Sequence, residues 1–245
     1  MEEKRLNISF LSGNAIKIIA ALSMLVDHIG SILFPQLIIF RVIGRLAFPL
    51  FAFCIAEGCR HARNKVKYFA IIVLFAIITQ GIFLIFGRGW GLNILFTFSL
   101  SILAVYSLQF FKNKFQEKSS AWIKILSGLL FVVTITGIFL INKFITLDYG
   151  FWGAMLPVFA SVLDYNGDNY ILKSLNNKYL NLTLFSLGLL ILCIALNNAW
   201  QFVSFFSVLL LAFYSGKRGK IKMKYFFYVF YVGHLLMLYL IDFFI

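Results

Sequence analysis

The feature that most restricts this chain is a succession of apolar runs, each about 20 residues long, parted by short basic segments. At about 1.5 Å of rise per residue, a helical run of this length crosses about 30 Å of hydrocarbon. We read nine runs, at residues 14–34, 37–58, 66–86, 92–111, 121–141, 149–163, 179–197, 199–214 and 225–245, of which the sixth and eighth are short. The composition agrees. Hydrophobic residues make up 62% of the 245 positions, with 30 Phe and only 3 Pro, against about 45–50% apolar in a soluble domain. The expected fold is an all-α integral membrane protein, a polytopic bundle of about nine transmembrane helices in a single domain over residues 1–245. The opening MEEKRLNISF mixes acids with bases and is followed by no small-residue cleavage site. The first run is therefore expected to be a true span and not a cleaved signal.

The net charge of +13 would suggest nucleic acid in a soluble protein. In a membrane protein, basic residues collect in cytoplasmic loops and set the topology. With the N-terminus in the cytoplasm, the inside segments carry Lys4 and Arg5, then Arg60, Arg63, Lys65 and Lys67, then Lys112, Lys114, Lys118 and Lys124, then Lys173 and Lys178, then Lys217, Arg218, Lys220, Lys222 and Lys224. Outside segments carry only Arg88 and Lys143. This asymmetry predicts a cytoplasmic N-terminus and an external C-terminus, with no nucleic-acid partner. Cys54, Cys59 and Cys193 all lie in apolar runs with no C-x-x-C spacing, so they read as small buried hydrophobes.

Three cations fall inside runs, Lys17, Arg41 and Arg45, and the stretch MLVDHIG at 24–30 adds Asp27 beside His28. Such residues are costly in lipid and face the bundle interior or one another. Helical rise puts Asp27 and His28 about 20 Å above the cytoplasmic edge, Arg45 about 18 Å, Arg41 about 24 Å and His234 about 14 Å. Lys17 lies three turns below His28. The sequence thus predicts a polar cavity bounded by the first, second and ninth runs. A His beside an Asp and near an Arg suits a general base with an orienting partner and a stabilised oxyanion. Adjacent helical residues point about 100° apart, so Asp27 either orients His28 or pairs with Arg45. Arg41 is expected to snorkel to the interface, and a lone His234 is equally an interhelical hydrogen-bonding residue.

Glu57, at the cytoplasmic end of the second run, is expected to pair with Arg60 or His61. It lies too far by depth to join Asp27, His28 and His234 in a metal site, and no metal is expected. Asn93 and Asp148 sit near the outer face, where they either meet an acceptor or cap helices. YNGDN at 165–169 lacks the spacing of a calcium loop.

Several segments resemble the TraX family: IKIIAALSMLVDHIG, RVIGRLAFPLFAFCIAEGCRHARN, NILFT at 93–97, DYGFWG at 148–153 and FYVGHL at 230–235. The chain departs from the family pattern at Val232-Gly233, where Pro-Leu is usual, and at Ala62, where Thr is usual. TraX is in turn similar to the acyltransferase-3 group, whose first helix carries a basic residue, ten residues, then a histidine. Lys17 and His28 have that spacing. The resemblance implies a transmembrane acetyltransferase of the bacterial cytoplasmic membrane. Acetyl-CoA is the implied cytoplasmic donor, and the implied acceptor is an amine or hydroxyl on a pilin-type N-terminus or a glycan. On that reading Arg60, Arg63 and Lys65 seat the CoA phosphates, Lys17 stands at the tunnel mouth, and His28 is the base. Arg45 and His234 then stabilise the carbonyl charge, with Arg41, Asn93 and Asp148 toward the acceptor. The rival reading is a transporter or lipid flippase with a polar mid-membrane site and no covalent chemistry. It is expected to show paired repeats, which the sequence lacks.

Overall fold

The computed structural model describes residues 9–87, 89–117, 119–164, 170–220, 223 and 225–245. Lys4, Arg5, Arg88, Lys118, Lys222, Lys224 and the YNGDN segment lie outside the described residues. The chain is helical: α1 (Gly13–Ile32), α2 (Ile38–Gly44), α3 (Ala47–His61), α4 (Lys65–Ile85), α5 (Ile94–Gln116), α6 (Ala121–Phe144), α7 (Gly150–Phe159), α8 (Tyr170–Leu175), α9 (Lys178–Leu196), a 3-10 helix (Ala199–Phe205), α10 (Phe206–Ala212) and α11 (Phe226–Phe244). Among the described residues, seven helices are long and apolar enough to cross a membrane, with α2 and α3 together counting as one.

Three of the nine expected runs take a different form. The second is broken at Arg45-Leu46, where Arg45 N bonds Val42 O at 3.3 Å and Leu46 N bonds Ile43 O at 3.4 Å, the tight spacing of a 3-10 turn. Pro49 explains the break. It has no N–H for the Arg45 carbonyl, and its ring clashes with that carbonyl in a continuous helix. The sixth run yields only the 10-residue α7. Tyr149 and Gly150 precede or open it at φ 60° and 63°, and Pro157 lies just before its end. The eighth run begins as a 3-10 helix. Gln201 and Ser204 are buried three residues apart, the period at which a 3-10 helix keeps them on one face, and Ser207, also buried, lies in the first turn of α10.

The chain packs as two compact units, one of residues 1–54 with 200–245 and one of residues 55–199, with the division falling inside α3. In the first unit α1 packs against α2 and α11. A Cβ on Gly30 would collide with Phe40, so the α1–α2 contact depends on that glycine. Ser12 caps α1 by accepting from Ala15 N at 3.2 Å. Lys17 of α1 lies by Phe227 of α11, and His28 by His234, so the first and last helices run side by side in the same sense.

In the second unit α5 packs against α4, α6 and α7, and α7 against α9. Residues 153–158 of α7 are all buried, as expected of a helix apolar on every face. Three side chains of α5 reach across to the segment around α7. Thr97 Oγ1 donates to Asp148 O (2.9 Å), Ser101 Oγ to Ala154 O (2.8 Å), and Lys112 Nζ to Ser161 O (2.9 Å). The 148–161 segment therefore runs alongside α5 in the same direction and for a similar length. Gly188 lets α9 approach α7, since a Cβ there would lie 2.6 Å from the Phe159 ring. By contrast α6 leaves Trp122, Leu126, Leu129 and Val133 exposed, a surface suited to lipid.

Candidate active site

Two pairs of ionisable residues meet in the first unit. His28 Nδ1 lies 2.7 Å from His234 Nε2, and His234 Nδ1 lies 2.7 Å from the Phe230 carbonyl. The His rings are within 18° of coplanar with centroids 5.0 Å apart, which suits an in-plane N–H···N bond. A carbonyl can only accept, so His234 Nδ1 carries hydrogen. With both rings neutral, His234 Nε2 accepts and the shared hydrogen belongs to His28 Nδ1. This leaves a lone pair on His28 Nε2, which makes no hydrogen bond among the described residues. His234 is buried, and α11 stacks Phe230 on it at 5.0 Å.

The second pair corrects the sequence reading. Arg41 does not snorkel: its Nη1 donates to Asp27 Oδ2 at 2.6 Å and to Asp27 O at 3.4 Å. Asp27 is thus engaged with Arg41, not with Arg45 and not with His28. The depth arithmetic missed this because it assumed one straight helix over 37–58, whereas the chain bends at Arg45. Gly44 makes room for the pair, since a Cβ there would collide with the Asp27 carboxylate. The Arg45 side chain remains without a hydrogen bond or ion pair among the described residues, and its Nε is buried. Its charge still acts on Asp27. Two arginine charges therefore act on one carboxylate, of which only Arg41 is bonded to it.

Gly44→Ala forces either Asp27 or α2 to move. It should destabilise the protein by about 1–3 kcal/mol, as overpacking does, seen as a lower unfolding temperature in detergent. Gly233→Ala is the control. A Cβ there meets nothing within 4 Å, and α11 runs through Gly233 without interruption, so alanine should be neutral or stabilising by up to about 1 kcal/mol.

Lys17 is half-buried, with Nζ 5.9 Å from the Phe227 ring centroid. It lies eleven residues, about 16 Å of helix, before His28.

The remaining candidates lie in the second unit. Arg60 is held between two carboxylates, with Nη1 2.6 Å from Glu57 Oε1 and Nε 2.8 Å from Asp164 Oδ2. The expected Glu57–Arg60 pair is present. Asp164 was not foreseen, because an acid beyond the end of an apolar run has no local signal naming a partner 104 residues away. Lys65 Nζ donates to Gln109 Oε1 at 3.0 Å and lies 5.0 Å from the Tyr106 ring centroid. Arg63 is exposed and makes no hydrogen bond or ion pair among the described residues. Asn93 is only 2% exposed. Its Oδ1 caps α5 through Leu95 N at 3.0 Å, and its Nδ2 donates to Ala76 O and Gln80 Oε1, both at 2.9 Å. Of the two readings offered for Asn93, the cap fits this geometry. Asp148 is exposed, and it is Tyr149, not Asp148, that stands in the cap position of α7.

Fold and site together define a polytopic helical membrane protein with a histidine pair and an arginine–aspartate pair inside its spanning helices. The chain belongs to the TraX family, whose model, described as TraX protein, matches residues 12–242. It is 33% identical over 117 residues to a probable fimbrial assembly protein, FimC of serogroup H1, from Dichelobacter nodosus, covering 40% of this chain and 47% of that one. It is 50% identical over 38 residues to an uncharacterised protein of Rickettsia prowazekii strain Madrid E, covering 16% of this chain and 15% of that one. The matched regions thus span about half or less of these curated relatives. No solved structure matches the chain.

Proposed function

We propose that this protein is a transmembrane acetyltransferase that moves an acetyl group from cytoplasmic acetyl-CoA to an amine or hydroxyl at or beyond the outer face. The observation that carries the reading is the free Nε2 of His28, backed by the His28–His234–Phe230 relay, with an unpaired arginine on a neighbouring helix of the same unit. Membership of the TraX family and similarity to a fimbrial assembly protein favour a pilin-type N-terminal amine as acceptor. The acyltransferase-3 likeness rests on the Lys17–His28 spacing.

The reaction balances on these residues alone. His28 Nε2 takes the proton from the acceptor as its nitrogen or oxygen attacks the thioester carbonyl carbon. His28 then becomes a cation, which the His234 ring supports through the shared hydrogen. The carbonyl oxygen gathers negative charge, and the Arg45 guanidinium donates to it. The C–S bond breaks and the proton on His28 passes to the departing sulfur. The Arg41–Asp27 pair fixes α2 against α1 and so sets where Arg45 stands.

The topology proposed with this mechanism has nine crossings in the bacterial cytoplasmic membrane, with the N-terminus inside. Two observations support counting the short segments as crossings. The 148–161 segment follows α5 from its first turns to Lys112. Beyond the 199–212 segment, Phe213 reaches the base of α1, where its carbonyl accepts from Leu11 N.

The test is direct. Purified protein in liposomes receives acetyl-labelled acetyl-CoA with a pilin-type peptide or a hydroxylated glycan. Label on the peptide α-amine is the expected result. No transfer to either acceptor would sink the enzyme reading and favour transport without chemistry.

A further inference from the structure

We propose that the loop 215–220 is a phosphate-binding loop that holds the phosphates of the acyl donor at the base of the α1–α11 seam, an inference that rests on the acetyltransferase reading. The loop carries Lys217, Arg218 and Lys220 in the order SGKRGK. All three are exposed, and none of their side chains makes a hydrogen bond or ion pair among the described residues. A topology signal needs only such charges and no particular backbone. This loop has a fixed one. Gly216 and Gly219 adopt φ 71° and 98°, conformations that favour glycine.

Backbone bonds fasten the loop to the start of α1. Leu11 N donates to Phe213 O at 3.0 Å, Ser215 N to Leu11 O at 2.8 Å, Gly13 N to Lys217 O at 2.8 Å, and Asn14 N to Arg218 O at 3.0 Å. Ser215 Oγ adds a bond to Leu11 O at 2.9 Å. The approach is close: a Cβ on Gly219 would lie 3.0 Å from Ser12 Oγ and 3.1 Å from Asn14 Nδ2.

The loop therefore gathers three cations beside the positive end of the α1 dipole, with no acid near it among the described residues. The side-chain carboxylates among the described residues of this unit are Asp27, fourteen residues into α1 and paired with Arg41, and Asp242, near the end of α11. An ordered loop with uncompensated positive charge is preorganised for a polyanion. Its position fits the donor. Lys17 stands one turn above Gly13, and His28 about 16 Å further along the same seam. Phosphates on the loop would direct a long, thin arm past Lys17 and the α11 aromatics to His28. Arg60, by contrast, is already occupied by Glu57 and Asp164.

Phosphate could also come from an anionic lipid headgroup, and the experiment separates the sources. The triple variant Lys217→Gln, Arg218→Gln, Lys220→Gln is reconstituted in zwitterionic nanodiscs beside the wild type. KM is measured for acetyl-CoA and for acetyl-pantetheine, which lacks the nucleotide phosphates. The wild type should prefer acetyl-CoA by roughly tenfold or more, a preference that shrinks with added salt. In the variant that preference should collapse toward one, with the unfolding temperature unchanged. An undiminished preference in an active variant would overturn the loop's role while leaving the enzyme reading intact. A wild type that uses neither thioester would instead overturn the enzyme reading, and the loop's role with it. Loss of binding to anionic vesicles by the variant, with its acetyl-CoA preference retained, would assign the loop to lipid headgroups and overturn the donor site.

Discussion

The His28→Ala protein should transfer acetyl groups about 10²–10⁴-fold more slowly than the wild type, the usual contribution of a positioned general base. Its unfolding temperature and acetyl-CoA binding should change little, because the His28 side chain makes one hydrogen bond among the described residues, the bond to His234. His234→Ala should cost less. It removes the acceptor that holds the hydrogen on His28 Nδ1, so His28 can still take a proton but in a ring that is free to turn or change tautomer. The two histidines act as one relay, so the double variant should be about as slow as His28→Ala alone. Transfer rates for the four proteins on one acceptor peptide decide the matter. Additive losses would mean that the histidines contribute separately and that the relay is not the catalytic unit.

The second large effect concerns stability. Arg41→Gln removes the partner of Asp27, whose other carboxylate oxygen is already buried without a hydrogen bond. Breaking the pair from one side leaves the Asp27 carboxylate without its hydrogen-bonded partner, although the Arg45 charge still acts on it. The expected loss is about 3 kcal/mol, the low end of the range because Arg41 is 33% exposed. Asp27→Asn combined with Arg41→Gln removes both charges and should recover most of it. Thermal unfolding in detergent of both single variants and the double variant measures the coupling. A double variant no better than Arg41→Gln would mean that Arg41 stabilises through contacts other than Asp27. Activity reads a different consequence of the same substitution. If the pair positions Arg45, transfer should slow in Arg41→Gln even at temperatures where the protein is fully folded.

Much of this was legible in the residues because a membrane makes few demands and states them plainly. A helix in lipid must satisfy its own backbone, so apolar length alone located α1, α4, α5, α6, α9 and α11 within a few residues of their ends. Depth arithmetic put His28 and His234 within about 6 Å of one another along the membrane normal, and both helices are unbroken. It failed where the chain is broken. Pro49 was present in the sequence, yet reading 37–58 as one rod matched Asp27 in depth with Arg45 and left Arg41 to the interface. The Gln201 and Ser204 spacing carried the 3-10 signal, but an apolar background hid it. The Arg60–Asp164 pair was beyond reach, because nothing local encodes a contact made by tertiary packing. Gly44 looked like any small residue in a span, and only the position of Asp27 shows what it leaves space for.

The histidine pair joins residues 206 positions apart, and this has a consequence for synthesis. Asp27 and Arg41 are fourteen residues apart and lie on the first two helices, so the first hairpin can enter the membrane with its charges already matched. His28 has no such early partner. It must wait until about 200 further residues have been translated and α11 has been inserted. A chain stalled before α11 would be embedded and charge-matched at Asp27 but would lack half of its relay. On the proposed mechanism the relay is complete only once α11 has closed against α1.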